Sequence, residues 1–300
     1  MRMSSINMAA MHEPPALAHS TKPMVAFTTP PNYATRLSNL LSLNGFVPLS
    51  SPTLVVEPTP STISALKPYL SPHSLRHFSA IAFTSRTSIT ALCHAITAIE
   101  EPPLSPSGDA FTIAALGKDS ELIDSDFVAK LCSNSNRIRI LVPPKATPSG
   151  LVKALGEGIG RRVLCPIPVV VGLEEPPVVP DFLRELESNG WVPVRVNAYE
   201  TRWAGEECAK EVVQRLEEGE LDAIVFTSTA EVEGLLKGLK QFRLDWKTVK
   251  QRWPELVVAA HGPVTAAGAE RLGVGVELVS DRFDSFEGVV KALGLKFNSS

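Results

Sequence analysis

"AIAFTSRTSITAL", residues 80–92, is repeated in part by "AIVFTSTAEVEGL", residues 223–235. Each segment begins with a short apolar run that ends in Phe-Thr-Ser, and spaced apolar residues follow the serine. A short continuous apolar run is typical of a buried strand, and a serine before a periodic stretch is typical of a helix N-cap. Each segment therefore predicts a buried strand that turns directly into a helix.

Three further pairs of segments recur in the same order and at nearly constant separation along the chain. They are "LNGFVPL" (43–49) with "SNGWVPV" (188–194), "AALG" (114–117) with "AAHG" (259–262), and "GLVKALG" (150–156) with "GVVKALG" (288–294). Self-similarity at a fixed spacing is the signature of a repeated structural unit. The chain therefore contains an internal duplication.

Both units alternate short apolar runs with amphipathic stretches. Helices are expected over 33–45, 61–71 and about 119–132, and strands near 162–166 and 192–197. Apolar strands that alternate with helices indicate parallel sheets covered on both faces. The predicted fold is α/β, with two five-stranded, doubly wound, flavodoxin-like domains.

The composition excludes several classes of protein. A length of 300 residues fits about two domains. The net charge of −3 gives no overall field for nucleic acid or an anionic membrane, so no nucleic-acid partner is expected. No apolar run approaches the ~18 residues of a membrane span. The four cysteines form no C-x-x-C pair and are expected to be free thiols.

Residues 1–23 show no hydrophobic periodicity and are expected to form a disordered tail. The segment lacks the apolar core of a secretory signal. Arg2, Ser4 and Ser5 fit a transit peptide, whereas Glu13 and the scarcity of arginine do not. For a plant protein the expected compartment is the plastid stroma, and the alternative is the cytoplasm.

The repeated motifs fall where strands end and helices begin. In parallel sheets such turns expose backbone N–H groups and helix N-termini, which attract anions. The candidate ligand-binding residues are Thr84, Ser85, Gly117, Ser120, Thr227, Ser228, Gly262 and Thr265. The simpler alternative is that each hydroxyl only caps a helix, and Ser228 with Glu231 matches a capping box. The duplication favours two facing cradles across a cleft.

Other motifs carry little chemistry. The glycines in "GEGIG" (156–160) follow a predicted helix and precede a predicted strand, which is the reverse of a dinucleotide-binding loop. A helix-terminating turn is expected there. The six histidines are scattered, and no metal site is expected.

In these motifs the chain resembles the uroporphyrinogen-III synthase family. The segments that carry the resemblance are Phe-Thr-Ser at 83–85 and 226–228, Ala-Leu-Gly-x-x-Ser at 115–120, Ala-His-Gly-Pro-x-Thr at 260–265, and Asn-Ala-Tyr-Glu-Thr at 197–201. The last is similar to the family's Val-x-x-Tyr-x-Thr strand. Each motif is short, and their order over about 24–295 carries the resemblance.

The resemblance implies that the chain crosses twice between two domains joined by a two-stranded linker. One domain would contain 24–50 and 200–300, and the other 51–199. The linkers would lie near 48–55 and 193–201, which places Tyr199 at the hinge.

The implied activity is that of a lyase. Hydroxymethylbilane, a linear tetrapyrrole with eight carboxylates, would be cyclised with inversion of ring D and loss of water, without a metal or organic cofactor. Tyr199 is the candidate general acid, because a neutral phenol can donate a proton at pH 7. The other candidate residues would line the substrate cleft. A monomer is expected, with hydroxymethylbilane synthase as a transient partner.

Two departures from the family pattern remove positive charge at strand ends. The first strand ends in Thr28-Thr29-Pro30 where many members have Thr-Arg-Pro, and 166–169 read Pro-Ile-Pro-Val where many have Arg-Gly. A catalytically weak or inactive two-lobed tetrapyrrole binder is therefore the alternative function. A third possibility is an interaction module of paired flavodoxin-like domains.

Overall fold

The computed structural model describes residues 22–282 and 285–298. The predicted disordered tail lies outside the described residues, except for Lys22 and Pro23, which adopt no regular structure. The strands are β1 Met24–Phe27, β2 Val47–Ser50, β3 Leu54–Glu57, β4 Ala80–Phe83, β5 Phe111–Ala115, β6 Ile138–Leu141, β7 Arg162–Val171, β8 Val192–Trp203, β9 Leu221–Phe226, β10 Val257–Ala260 and β11 Leu278–Val279.

Helices connect most of these strands. They are α1 Pro31–Leu43, α2 Pro60–Leu66, α3 Pro72–Leu75, α4 Arg86–Thr97, α5 Ser125–Leu131, α6 Pro148–Leu155, α7 Val178–Ser188, α8 Lys210–Glu217, α9 Thr229–Gln241, α10 Trp246–Arg252, α11 Pro263–Arg271 and α12 Glu287–Asn298. Short 3₁₀ segments lie at Lys67–Tyr69, Gly117–Leu122, Ser135–Arg137 and Glu206–Ala209.

The strands form two separate sheets. The first has the order β11-β10-β9-β1-β2, and all of its pairs are parallel. The second has the order β3-β8-β7-β4-β5-β6, with parallel pairs except for β3 against β8. The predicted α/β fold with two parallel sheets is confirmed. The expectation of five strands in each sheet is wrong for the second, because the crossing segment 54–57 adds an antiparallel edge strand.

Each sheet combines parts of both sequence repeats. The first sheet takes β1 and β2 from the first repeat and β9 to β11 from the second, whereas the second sheet takes the complementary strands. The chain crosses between the sheets at β3 and β8, where Leu54 pairs with Trp203 and Glu57 pairs with Glu200. The domain bounds given above stay a prediction.

Alternate residues of a strand pack on opposite faces of its sheet. In β9, Ile224 and Phe226 belong to one buried cluster, and Ala223 and Val225 belong to another. Helices on both faces therefore bury the central strand, as a doubly wound fold requires.

Some element bounds differ from the prediction. The strands expected at 162–166 and 192–197 continue to Val171 and Trp203, because they pair with each other as far as Val171 and Arg202, and Trp203 pairs with Leu54. The helix expected over 119–132 is wrong. Gly117–Leu122 is a 3₁₀ segment, and α5 begins only after Asp124, whose carboxylate accepts the Phe127 N–H at 2.8 Å.

Other expectations hold with shifted ends. The helix expected over 33–45 is observed at Pro31–Leu43, and the one expected over 61–71 ends at Leu66 before a 3₁₀ turn. Gly156, at φ 70°, ends α6 as the predicted glycine-rich turn. Within the residues that the structure describes, no helix has the length and apolar character needed to cross a membrane.

Candidate active site

A cavity of about 330 Å³ lies between the two sheets. Its lining comes from both sides. Pro30, Thr227 and Ser228 follow strands of the first sheet, and Thr84 and Ser85 follow β4 of the second. The crossing strands β3 and β8 also contribute. The cavity therefore lies at the carboxyl ends of strands, where ligands of open parallel sheets bind.

The first of the two repeated turns carries Thr84 and Ser85. Ser85 is the N-cap of α4, and its hydroxyl accepts the Ser88 N–H at 3.3 Å, so the predicted cap is confirmed. The Ser85 Oγ also lies 3.0 Å from the Tyr199 hydroxyl, to which it donates. A capping serine thus also lines the cavity, so the cap does not prevent this residue from facing a ligand.

Tyr199 joins this turn to the crossing strand β8. Its side chain lines the cavity, although the residue is only 6% exposed. Burial raises the pKa of Tyr199 to about 12, and the hydrogen bond from Ser85 opposes this shift. The phenol therefore keeps its proton at neutral pH.

The second turn carries Thr227 and Ser228, and it differs from the first. Ser228 caps α9 by accepting the Glu231 N–H at 3.4 Å. A capping box would pair the Glu231 carboxylate with the Ser228 N–H. Instead, Glu231 accepts the Thr227 N–H at 2.9 Å, one residue earlier. The cap is as predicted, but the reciprocal bond is not.

Glu231 is held by neutral donors. Its carboxylate also accepts hydrogen bonds from the hydroxyls of Thr28 at 2.9 Å, Ser228 at 3.2 Å and Thr227. The residue is 1% exposed, yet it contributes to the cavity lining. Burial raises the pKa of Glu231, and these hydrogen bonds oppose the shift.

The second pair of repeated turns lies outside the cavity. Among the described residues, Gly117, Ser120, Gly262 and Thr265 are not part of its lining. Ser120 donates to the Gly117 carbonyl at 2.6 Å, and Thr265 donates to the Thr227 carbonyl at 3.2 Å. The expectation that these two hydroxyls cap helices is wrong, because each stands inside its helical segment and bonds a carbonyl instead.

Sequence reasoning missed the residues at one edge of the cavity. Tyr33 lines the cavity from α1, and burial together with the charge of Asp119 raises its pKa. Burial also raises the pKa of Asp119, while the neighbouring Arg86 guanidinium opposes the shift. Asn32 donates to the Thr87 hydroxyl at 3.3 Å across the two sheets. For Asn32 and Tyr33, the only sequence signal was their position after Pro30-Pro31.

The opposite wall is apolar. The residues that form it are Ile167, Pro168, Pro176, Val178, Val179 and Phe182. Ile167 and Pro168 belong to the segment where many family members carry a polar turn; here β7 simply continues through it. Within the described ranges, no group of three or more His, Cys, Asp or Glu residues could hold a metal ion.

One known protein family matches the chain over most of its length. The family model described as uroporphyrinogen-III synthase HemD matches residues 35–289. A search of curated proteins found no significant match.

Solved structures resemble this chain at low sequence identity. A mutant uroporphyrinogen III synthase from Thermus thermophilus is 18% identical, with 93% of this chain and 100% of that chain covered and a TM-score of 0.54. The uroporphyrinogen-III synthetase from Helicobacter pylori is 12% identical, with 93% and 100% covered and a TM-score of 0.48. The Thermus structure shows a shared two-sheet α/β fold. Because the family model spans most of the chain, this protein belongs to the uroporphyrinogen-III synthase family.

Proposed function

We propose that this lyase of tetrapyrrole biosynthesis binds and cyclises hydroxymethylbilane in the cavity between its two sheets, with Tyr199 as the general acid. The observation that carries this proposal is the 3.0 Å hydrogen bond from Ser85 to the Tyr199 hydroxyl. Because the serine donates to the phenol oxygen, the phenol proton is free to point into the cavity.

In the proposed reaction, Tyr199 protonates the leaving hydroxyl on the methylene of ring A. Water departs and leaves an azafulvene, which the substituted carbon of ring D attacks to form a spiro intermediate. The bond between this ring-D carbon and the methylene that joins it to ring C then breaks, which leaves an azafulvene on ring C. Its methylene is attacked by the free α-carbon of ring D. That carbon then loses a proton, which restores the phenol. The net change is the loss of one water with ring D inverted.

The protein's task is mainly to hold a reactive substrate in one geometry. The substrate also closes unaided, to the isomer without the inversion, so holding its ends together in the right order decides the product. We propose that Thr84, Ser85, Thr227 and Ser228 face the substrate. Gly117, Ser120, Gly262 and Thr265 would act behind them by shaping the turns, since Thr265 already holds the Thr227 carbonyl.

The general-acid role is tested by Tyr199→Phe. This variant retains the ring but cannot donate a proton, and we expect kcat to fall by roughly 10²- to 10⁴-fold with little change in KM. Tyr69→Phe is the matched control, because Tyr69 packs against Phe78 and is not among the cavity-lining residues of the described chain. A Tyr199→Phe enzyme with kcat within threefold of the wild type would exclude this role.

The active form would be a monomer. Light scattering of the purified chain, whose monomer mass is 32.3 kDa, tests this oligomeric state.

Hydroxymethylbilane synthase would transfer its product to this enzyme in a transient encounter, because that product closes spontaneously. For a plant protein, the compartment would be the plastid stroma, with the cytoplasm as the alternative.

A further inference from the structure

The two repeated turns differ in their charged residues. The residue after the capping serine is Arg86 in the first turn and Thr229 in the second. The third residue after that serine is Ser88 in the first turn and Glu231 in the second. A cation therefore stands beside one turn and a carboxylate within the other, although both turns end equivalent strands.

In the second turn, Glu231 takes the donors that a bound anion would need. The Thr227 N–H and the hydroxyls of Thr227 and Ser228 all donate to its carboxylate. The hydroxyl proton of Thr227 is donated to Glu231. Thr29 is therefore the donor in the 3.4 Å contact between the Thr29 and Thr227 hydroxyls. What the second turn offers the cavity is hydroxyl lone pairs and negative charge.

The first turn carries no unbalanced negative charge. Ser88, at the position that corresponds to Glu231, donates to the Ser85 carbonyl at 2.6 Å, so it is turned back on its own helix. The Asp119 carboxylate lies beside this turn and accepts the Arg86 backbone N–H, and the Arg86 guanidinium balances its charge.

We propose that Glu231 is a positioning residue that fixes the direction in which the substrate binds. It makes the second turn an acceptor for substrate N–H groups, such as those of pyrrole rings, and repels substrate carboxylates toward the first turn. It acts on the substrate through the donors that it occupies. This inference rests on the proposed function of the cavity, and it explains how a duplicated frame holds an unsymmetrical substrate.

The test uses two variants. Glu231→Ser places in the second turn the residue type that Ser88 provides at the corresponding position of the first, and Glu231→Gln preserves the side-chain volume. The full-length protein is assayed with hydroxymethylbilane, and KM, kcat and the ratio of type III to type I product are measured well below each melting temperature. Glu231→Ser frees the three donors of the second turn, together with the Thr28 hydroxyl, so we expect KM to fall on the order of 3- to 10-fold. The fraction of type III product should fall as well, because carboxylates can then enter either turn. Glu231→Gln should give intermediate values.

The control is Glu217→Ser, because Glu217 is an exposed residue of α8. If Glu231 had only a structural role, replacing it would lower the melting temperature and leave KM and the product ratio unchanged. Values of KM and product ratio within twofold of the wild type in both variants would therefore overturn the inference. A rise in KM would overturn it too, since the carboxylate would then help to hold substrate. If the wild type yields only type I product, the proposed function itself fails; if it yields type III and the variants match it, only the inference fails.

Discussion

Tyr199 combines deep burial with a hydrogen bond to a helix cap. Burial penalises the ionised phenolate, and it therefore raises the pKa to about 12. A neutral donor held in this way needs no nearby cation. This suits a cavity whose lining, among the described residues, includes Glu231 as the one ionisable carboxylate.

The same burial makes a prediction about stability at high pH. A tyrosine in the unfolded chain loses its proton near pH 10, whereas folded Tyr199 keeps it until about pH 12. The difference between these two pKa values contributes about 2–3 kcal/mol to the free energy of unfolding. This contribution is fully present below pH 10 and is lost as the pH rises to 12. We expect the free energy of unfolding, measured with denaturant from pH 9 to 12, to fall less steeply in Tyr199→Phe than in the wild type. Identical slopes would contradict the assigned pKa.

The repeated segments located only part of the cavity lining. Thr84, Ser85, Thr227 and Ser228 line the cavity, and so does Tyr199, which came from the family resemblance. Gly117, Ser120, Gly262 and Thr265 also stand in repeated segments but are not part of the lining among the described residues. Tyr33 and the carboxylate bonds of Glu231 could not be foreseen, because they depend on contacts between residues far apart in sequence. The Thr28–Glu231 bond, for example, joins residues that lie in different repeats.

At the scale of elements, the second turn depends on close packing of α9 against α11. Gly268 in α11 faces Thr229, and a Cβ at position 268 would overlap the Thr229 Oγ1. Such a contact cannot be accommodated without moving one helix. The spacing of these helices therefore fixes the turn that carries Thr227 and Ser228.

Gly268→Ala should consequently destabilise the protein by about 1–3 kcal/mol in denaturant unfolding. Adding Thr229→Ala should restore part of the loss, because the Oγ1 and Cγ2 atoms leave while the Cβ, at 2.8 Å, remains. Gly294→Ala is the control. No atom lies within 4 Å of its added Cβ, so it should be neutral or stabilising by up to ~1 kcal/mol. A Gly268→Ala variant as stable as Gly294→Ala would show that the two helices move apart freely.

The order of strands and helices followed from hydrophobic periodicity, but some boundaries did not. The strands β7 and β8 extend beyond their predicted ends because each supplies the other's hydrogen bonds, which no local pattern reveals. Residues 119–132 form no single helix, since Asp124 is a strong local N-cap that starts a new one. Strand β3 exists only because β8 lies beside it.

At the scale of the whole molecule, contacts bridge the two sheets on both sides of the cavity. Asn32 bonds Thr87 on one side. On the other, Glu233 accepts the Glu174 N–H at 3.1 Å, and Lys237 donates to the Gly172 carbonyl. A cavity of about 330 Å³ is near the lower end of the ~300–1,000 Å³ usual for ligand sites. The structure therefore bridges a small cavity on two sides.

Each sheet combines parts of both repeats, and the equivalent turns at Ser85 and Ser228 line one shared cavity. The duplication was readable from the sequence alone. Which half joins which sheet came only from the family resemblance, since periodicity does not encode strand order. Nothing in the comparisons favours the alternative of a non-catalytic binder.

The central claim is that this shared cavity directs ring closure. The most direct test supplies the wild-type protein with hydroxymethylbilane and resolves the products by chromatography. The account predicts type III uroporphyrinogen, formed faster than spontaneous closure. Type I product alone, formed at the spontaneous rate, would contradict it.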